Sequence, residues 1–172
     1  YPSQLWHHKD HATILKSLQV LRDKHSLNIN LVLSGGKFSA SKSIFKLIDD
    51  LNLKDQVYYL GKVPFKTLLS LYSLSRFFIT ATLYESSSLP ALEAASVGTA
   101  IIASNTPPNK EMSQNIRINL FKSKNVESLS NKILEIWHNK ELREDQIDYN
   151  KNAVKNYSWN KIALQYKEYF AN

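Results

Sequence analysis

Residues 84–105, YESSSLPALEAASVGTAIIASN, read as a loop, a short helix and a strand in immediate succession, and they follow an apolar run, Arg76–Thr80, with strand character. Pro90 suits the first turn of a helix, where a missing N–H costs nothing and a fixed φ is already helical. Glu93 is expected on that same first turn. Gly98 falls where the helix has to stop, since glycine tolerates the left-handed conformation of a helix end. The strand that follows, Ala100–Ser104, is closed by Asn105-Thr106-Pro107-Pro108, whose prolines cannot continue a central strand. A strand, a helix and a second strand joined this tightly form the repeating unit of a parallel sheet.

The same alternation extends outward from this unit. Asn28–Ser34 reads as a buried strand followed directly by Gly35 and Gly36, and Val57–Gly61 as another. Asp10–Lys24 places Ile14, Leu15, Leu18 and Leu21 on one helical face, and Lys42–Leu51 does so with Ile44, Phe45, Leu47 and Ile48. Val126, Leu129, Ile133, Ile136 and Trp137 form a later stripe. A final segment, Asn160–Phe170, carries Ile162, Ala163, Tyr166, Tyr169 and Phe170. The fold class is therefore α/β, a Rossmann-like doubly wound parallel sheet. Residues 1–172 form a single domain that ends in helices from about 125 to 172, with the polar stretch Glu141–Asn156 as the nearest thing to a break. Tyr1–Gln4 leave little room for a strand before the first helix, so a further segment is expected to precede them.

Composition narrows the class of partner. At 172 residues and 43% hydrophobic the chain can bury one core, and without cysteine it has neither a disulfide framework nor a thiolate metal site. A net charge of +7 favours anionic partners, but the lysines are scattered rather than clustered with aromatics, as on solvated helix faces, and no nucleic-acid partner is expected. No apolar run approaches bilayer length and no signal segment opens the chain, so the expected setting is soluble and cytoplasmic.

The central unit is also where chemistry is expected. Ligands of doubly wound folds bind at the carboxyl ends of the strands, and the free N–H groups at a helix start attract anions. Phosphates seated before Pro90 would leave Glu93 able to reach hydroxyls beyond them, with Glu85 facing the other end of the ligand. The plainer alternative makes both ordinary surface carboxylates, with Glu93 merely complementing the helix dipole. The surrounding strand, loop, helix and strand favour the functional reading.

Glu85 and Glu93 enclose seven residues, and with Leu89-Pro90-Ala91-Leu92, Gly98-Thr99 and Ala103-Ser104-Asn105 around them they resemble the Glu-x7-Glu motif of the retaining, group 1 type of nucleotide-sugar glycosyltransferases. That resemblance covers nearly the whole chain and implies the C-terminal, donor-binding half of the two-domain GT-B fold. It implies that Glu85 approaches the donor sugar and that Glu93 binds the ribose. The family's Arg and, five residues on, Lys that contact the diphosphate fall on Gln4 and Lys9, so only Lys9 carries over.

Gly35 and Gly36 resemble the family's glycine loop, Leu60 and Gly61 the segment that cradles the base, and Ser88, Leu89 and Pro90 the start of the donor helix. Ser86-Ser87-Ser88 stand where many relatives have a Gly-Phe-Gly or similar sequence, giving hydroxyls that can bond a phosphate or sugar but more bulk. The implied donor is a UDP- or GDP-type sugar, with no other cofactor and no metal. The implied acceptor is a glycan or lipid-linked hydroxyl bound by an N-terminal domain outside these residues. Peripheral membrane association of the full-length protein stays open. So do a non-catalytic nucleotide-binding module and a nucleotide-sugar epimerase of the same fold.

Other signals are weaker. His7, His8, Asp10 and His11 invite a metal, but no second ligand pair matches them. Gly35-Gly36-Lys37 lacks the spacing of a phosphate loop, and no Gly-x-Gly-x-x-Gly opens a helix. Trp6, Trp137 and Trp159 are assigned to packing.

Overall fold

The structure is a computed structural model that describes residues 1–171; Asn172, the last residue of the expected helical region from about 125 to 172, lies outside them. Helices and strands alternate through β1 (Leu31–Leu33), α2 (Ser41–Asp50), β2 (Val57–Tyr59), α3 (Phe65–Leu74), β3 (Phe77–Thr80), α4 (Leu89–Ser96), β4 (Ala100–Ser104), α5 (Pro107–Met112) and β5 (Asn119–Phe121). A 3-10 turn (His7–Lys9) and α1 (His11–His25) precede them, and α6 (Val126–His138), α7 (Lys140–Ala153) and α8 (Trp159–Ala171) follow. Every pairing is parallel, β1 with β2 and β4 between β3 and β5. Tyr1–Ser3 run beside β1, where Pro2 bridges Ser34 in parallel and Ser3 N–H donates to Ser34 O (2.8 Å).

Alternation along the strands builds two apolar layers, because successive side chains point to opposite faces. Ile79 and Ile102 join Leu31 and Leu33 beneath α1, α2 and α6, where Ile14, Leu15, Leu21, Leu129 and Ile136 are at most 1% exposed. Phe78, Ile101 and Ala103 face the other way, onto Tyr72 of α3 and Ala91, Ala94 and Ala95 of α4. Each large side chain so buried contributes about 1.5–3 kcal/mol. β4 is buried at all five positions, which explains its unbroken apolar run.

Several local expectations change. Glu141–Asn156 is no break: most of it lies in α7, which docks through amides. Gln146 Oε1 accepts from Ile101 N–H (3.2 Å) and Asn119 Nδ2 (2.9 Å), while Asn150 Oδ1 accepts from Arg117 N–H (2.7 Å). Pro107 and Pro108, expected only to end β4, open α5 at its first two positions. Of the tryptophans assigned to packing, Trp137 packs on Phe77 with the Arg76 guanidinium over its ring, 4.0 Å from the centroid. Trp159, by contrast, is 82% exposed on α8, and Trp6 is 38% exposed in the wall of a cavity. α8 buries no residue, so its aromatic side chains have no core beneath them.

Candidate active site

A cavity of about 730 Å3 opens where β1 and β3 end, between the Ser34–Gly35 turn, the His7–Lys9 turn and the start of α4. Its position follows from the sheet, since the loops leaving the carboxyl ends of parallel strands converge there.

The turn carrying Lys9 is fixed from three sides. Tyr1 Oη donates to Lys9 O (2.7 Å), Leu83 N–H donates to His8 O (2.8 Å), and the His8 ring stacks on Tyr84 with centroids 4.6 Å apart. These tethers bring the loop after β3 against the chain start, and across that seam Lys9 Nζ forms an ion pair with Glu85 Oε1. Both side chains are 15% exposed, so the pair is more sheltered from water than a surface salt bridge. Burial lowers the pKa of His8, with the nearby charge of Lys9 adding to the effect.

Leu89 opens α4, so Glu93 begins the second turn rather than sitting on the first as expected. It lies half-buried in the cavity wall, where Tyr72 Oη donates to its Oε2 at 3.1 Å. Burial first, and then the Glu93 charge, push the Tyr72 phenol well above its ordinary pKa, so it stays a donor. The Ser88 side chain makes no cap bond, and its carbonyl takes the N–H groups of Ala91 (3.0 Å) and Leu92 (3.4 Å). Among the described residues, the N–H groups of Ser87, Ser88 and Leu89 find no acceptor, and free donors at a helix start suit an anion. Gly98, at φ +80°, ends the turn after the helix and returns the chain to β4, with Thr99 N–H bonded to Ala94 O (2.9 Å).

Of the residues singled out in the sequence, Lys9, Gly35, Glu85, Ser88, Leu89, Pro90 and Glu93 line this one cavity. Gly36, Leu60 and Gly61 do not. They support the wall instead: Gly35 N–H donates to Gly61 O (2.8 Å), Leu60 N–H to Leu33 O (2.9 Å), and Gly36 N–H to Gln4 Oε1 (2.6 Å). Gly35 has φ +137°, and a Cβ there would lie 2.0 Å from Ser3 O, so only glycine fits. Lys62 and Val63, next in the chain, reach the cavity in their place. Tyr72 is a functional candidate that the sequence did not reveal, and His8, weighed there only as a metal ligand, stacks on Tyr84 in the cavity wall. A hydroxyl in the stripe of a helix gives no sign that it touches a carboxylate. Among the described residues no group of three His, Asp or Glu side chains is arranged to hold a metal.

The arrangement is suited to an anionic ligand that also carries hydroxyls. The sequence pattern of the family described as glycosyl transferases group 1 matches residues 1–153. The chain belongs to this family. It is 30% identical over 110 residues, 64% of its length, to the O-antigen chain mannosyltransferase RfbU of Salmonella typhimurium, and it spans 30% of that relative.

Among solved structures it is similar to the catalytic domain of the cholesterol-alpha-glucosyltransferase of Helicobacter pylori (TM-score 0.76, 25% identity, 92% of this chain and 96% of that one). It is also similar to Anabaena HepE in complex with UDP and glucose (TM-score 0.81, 16% identity, 98% of this chain and 46% of that one). The fold is accordingly the Rossmann-like, parallel α/β domain of GT-B glycosyltransferases. No described helix is long and apolar enough to cross a membrane.

Proposed function

We propose that this domain holds the nucleoside diphosphate sugar of a glycosyl transfer reaction, with the sugar passed, with retention of anomeric configuration, to an acceptor hydroxyl. The observation that carries the reading is the convergence of the Lys9–Glu85 pair, Glu93 and the open start of α4 on one cavity at the strand ends. In this reading the ribose hydroxyls donate to Glu93, which Tyr72 holds in place, and the phosphates lie against the unpartnered N–H groups before Pro90. The base lies toward Val63.

Donor binding would open the Lys9–Glu85 pair. Lys9 turns to the diphosphate, and Glu85 is freed toward the sugar. As the bond from the sugar's anomeric carbon to the diphosphate oxygen breaks, negative charge grows on the diphosphate, where Lys9 and the α4 amides stabilise it without a metal. Glu85 meets the positive charge that develops on the sugar.

An O-antigen mannosyltransferase among the relatives, and UDP with glucose in HepE, support a nucleotide-sugar donor and a surface polysaccharide or its lipid-linked precursor as product. The acceptor would be held by a further domain, in the cytoplasm or peripherally at the inner face of the membrane. A thermal-shift panel of UDP-, GDP-, ADP- and CDP-sugars tests the donor site. One class should raise the melting temperature, since a ligand at about 100 times its Kd stabilises by about 2.7 kcal/mol. A flat response across the panel would refute the reading.

A further inference from the structure

The diphosphate subsite just proposed is one cation short. Gln4 stands where the group 1 pattern leads one to expect an arginine, and it cannot supply charge: its amide is neutral, and its Oε1 is already engaged by Gly36 N–H at 2.6 Å. Lys9 is matched by Glu85, and Glu93 adds a further negative charge to the wall. These three charges sum to one negative, so a ligand bearing two or more negative charges would meet no net positive charge among them.

One other lysine reaches the same wall, Lys62. Among the described residues it has no ion-pair partner, and its side chain is exposed to the cavity's solvent. Its stem passes close to Gln4. A Cβ built on Gly36 would lie 2.7 Å from Gln4 Oε1 and 3.1 Å from Lys62 Cε, so the carboxamide and the end of the lysine stem converge on the same glycine. The backbone beneath Lys62 is anchored. Gly61, at φ +67°, turns the chain, and its carbonyl accepts from Gly35 N–H at 2.8 Å.

We infer that Lys62 supplies the second positive charge for the donor diphosphate, beside the position where Gln4 carries none. The inference rests on the donor-site reading above and names a residue that reading does not need. An ammonium on a flexible stem can reach a phosphate oxygen as a point charge, without the fixed two-pronged geometry of a guanidinium. Gly36 gains a reason as well: any side chain there would wedge between Gln4 and the Lys62 stem.

Calorimetry with UDP and GDP, using uridine and guanosine in competition as uncharged controls, separates the outcomes. Lys62→Ala should weaken the preferred diphosphate by about tenfold at low salt, the lower end for a charge-assisted contact because the group is exposed. The loss should shrink at high salt as screening removes the term, while nucleoside affinity stays unchanged. Lys62→Arg should keep nearly all of the affinity. Equal diphosphate affinity in Lys62→Ala and the unchanged protein would overturn the inference, as would an equal loss for nucleoside and diphosphate, since Lys62 would then serve the base or the fold. Failure of the unchanged protein to bind UDP or GDP, together with a flat thermal-shift panel, would remove the donor site itself, and this inference with it.

Discussion

The two carboxylates of the cavity differ in what holds them, and that difference makes their roles separable. Glu93 sits on a helix and takes a hydrogen bond from a buried phenol, whereas Glu85 sits on a loop and is bound to Lys9. Glu93→Ala should weaken binding of the free nucleotide by roughly 10- to 150-fold, the range for charge-assisted hydrogen bonds of about 1.5–3 kcal/mol. Tyr72→Phe, which removes only the positioning bond, should lie between Glu93→Ala and the parent. Glu85→Gln should bind free nucleotide nearly as the parent does, yet lower turnover in the full-length protein, because its charge matters only as the sugar becomes cationic. Calorimetry on all three variants, with steady-state kinetics on the last, decides the matter. Equal loss of nucleotide affinity in Glu85→Gln and Glu93→Ala would place both carboxylates on one end of the ligand and refute the division.

At the scale of elements, the start of α1 couples the stability of the fold to acidity. His11, the first residue of that helix, is 2% exposed, with Nε2 3.1 Å from Ser3 Oγ and no partner for Nδ1. Burial, aided by nearby positive charges, lowers its pKa to about 3. The unfolded chain therefore takes up a proton below the ordinary pKa of about 6.5 that the folded chain refuses until about pH 3, so stability falls as pH drops through that window. The slope is at most about 1.4 kcal/mol per pH unit. Thermal melts between about pH 7 and 5 should show a smaller loss in His11→Gln than in the parent, and parallel curves would mean that His11 titrates normally.

Elements also show what the sequence revealed and what it hid. The unit from β3 to β4 was legible because proline, glycine and an unbroken apolar run each mark a boundary by sterics. β5 was not, because Asn119–Phe121 is three residues long and opens with a polar one. α7 was hidden for a related reason: it is held by Gln146 and Asn150 pairing with strand backbone, and polar anchors leave no apolar stripe to read. In the site, Glu85, Glu93 and Lys9 were found through the spacing of a motif. Tyr72 lay on α3, a helix not foreseen between Pro64 and Ser75. Trp6 was placed in the core by residue type alone, whereas its position beside Phe38 and His8 is fixed by the turn it enters.

For the whole molecule, the cavity is lined by residues between Tyr1 and Glu93 of this chain. The chain spans 30% of RfbU and 46% of HepE, but 96% of the Helicobacter catalytic domain, a unit of nearly its own extent. Binding of a nucleotide needs only the groups this chain carries. Transfer needs an acceptor oxygen held against the sugar and water kept away, because an oriented neighbour is worth a very large effective concentration and free water competes for the same carbon. The isolated 172-residue chain should therefore bind the nucleotide that the thermal-shift panel selects and transfer no sugar to added acceptors. The full-length protein should transfer, and should do so equally in EDTA, since Lys9 and the α4 amides face the leaving diphosphate in this reading. Radiolabelled donor with a glycan or lipid-linked acceptor measures both. Robust acceptor-dependent transfer by the isolated chain would show that the acceptor site lies within these residues, and activity lost in EDTA but restored by a divalent ion would assign the diphosphate's neutralisation to a metal.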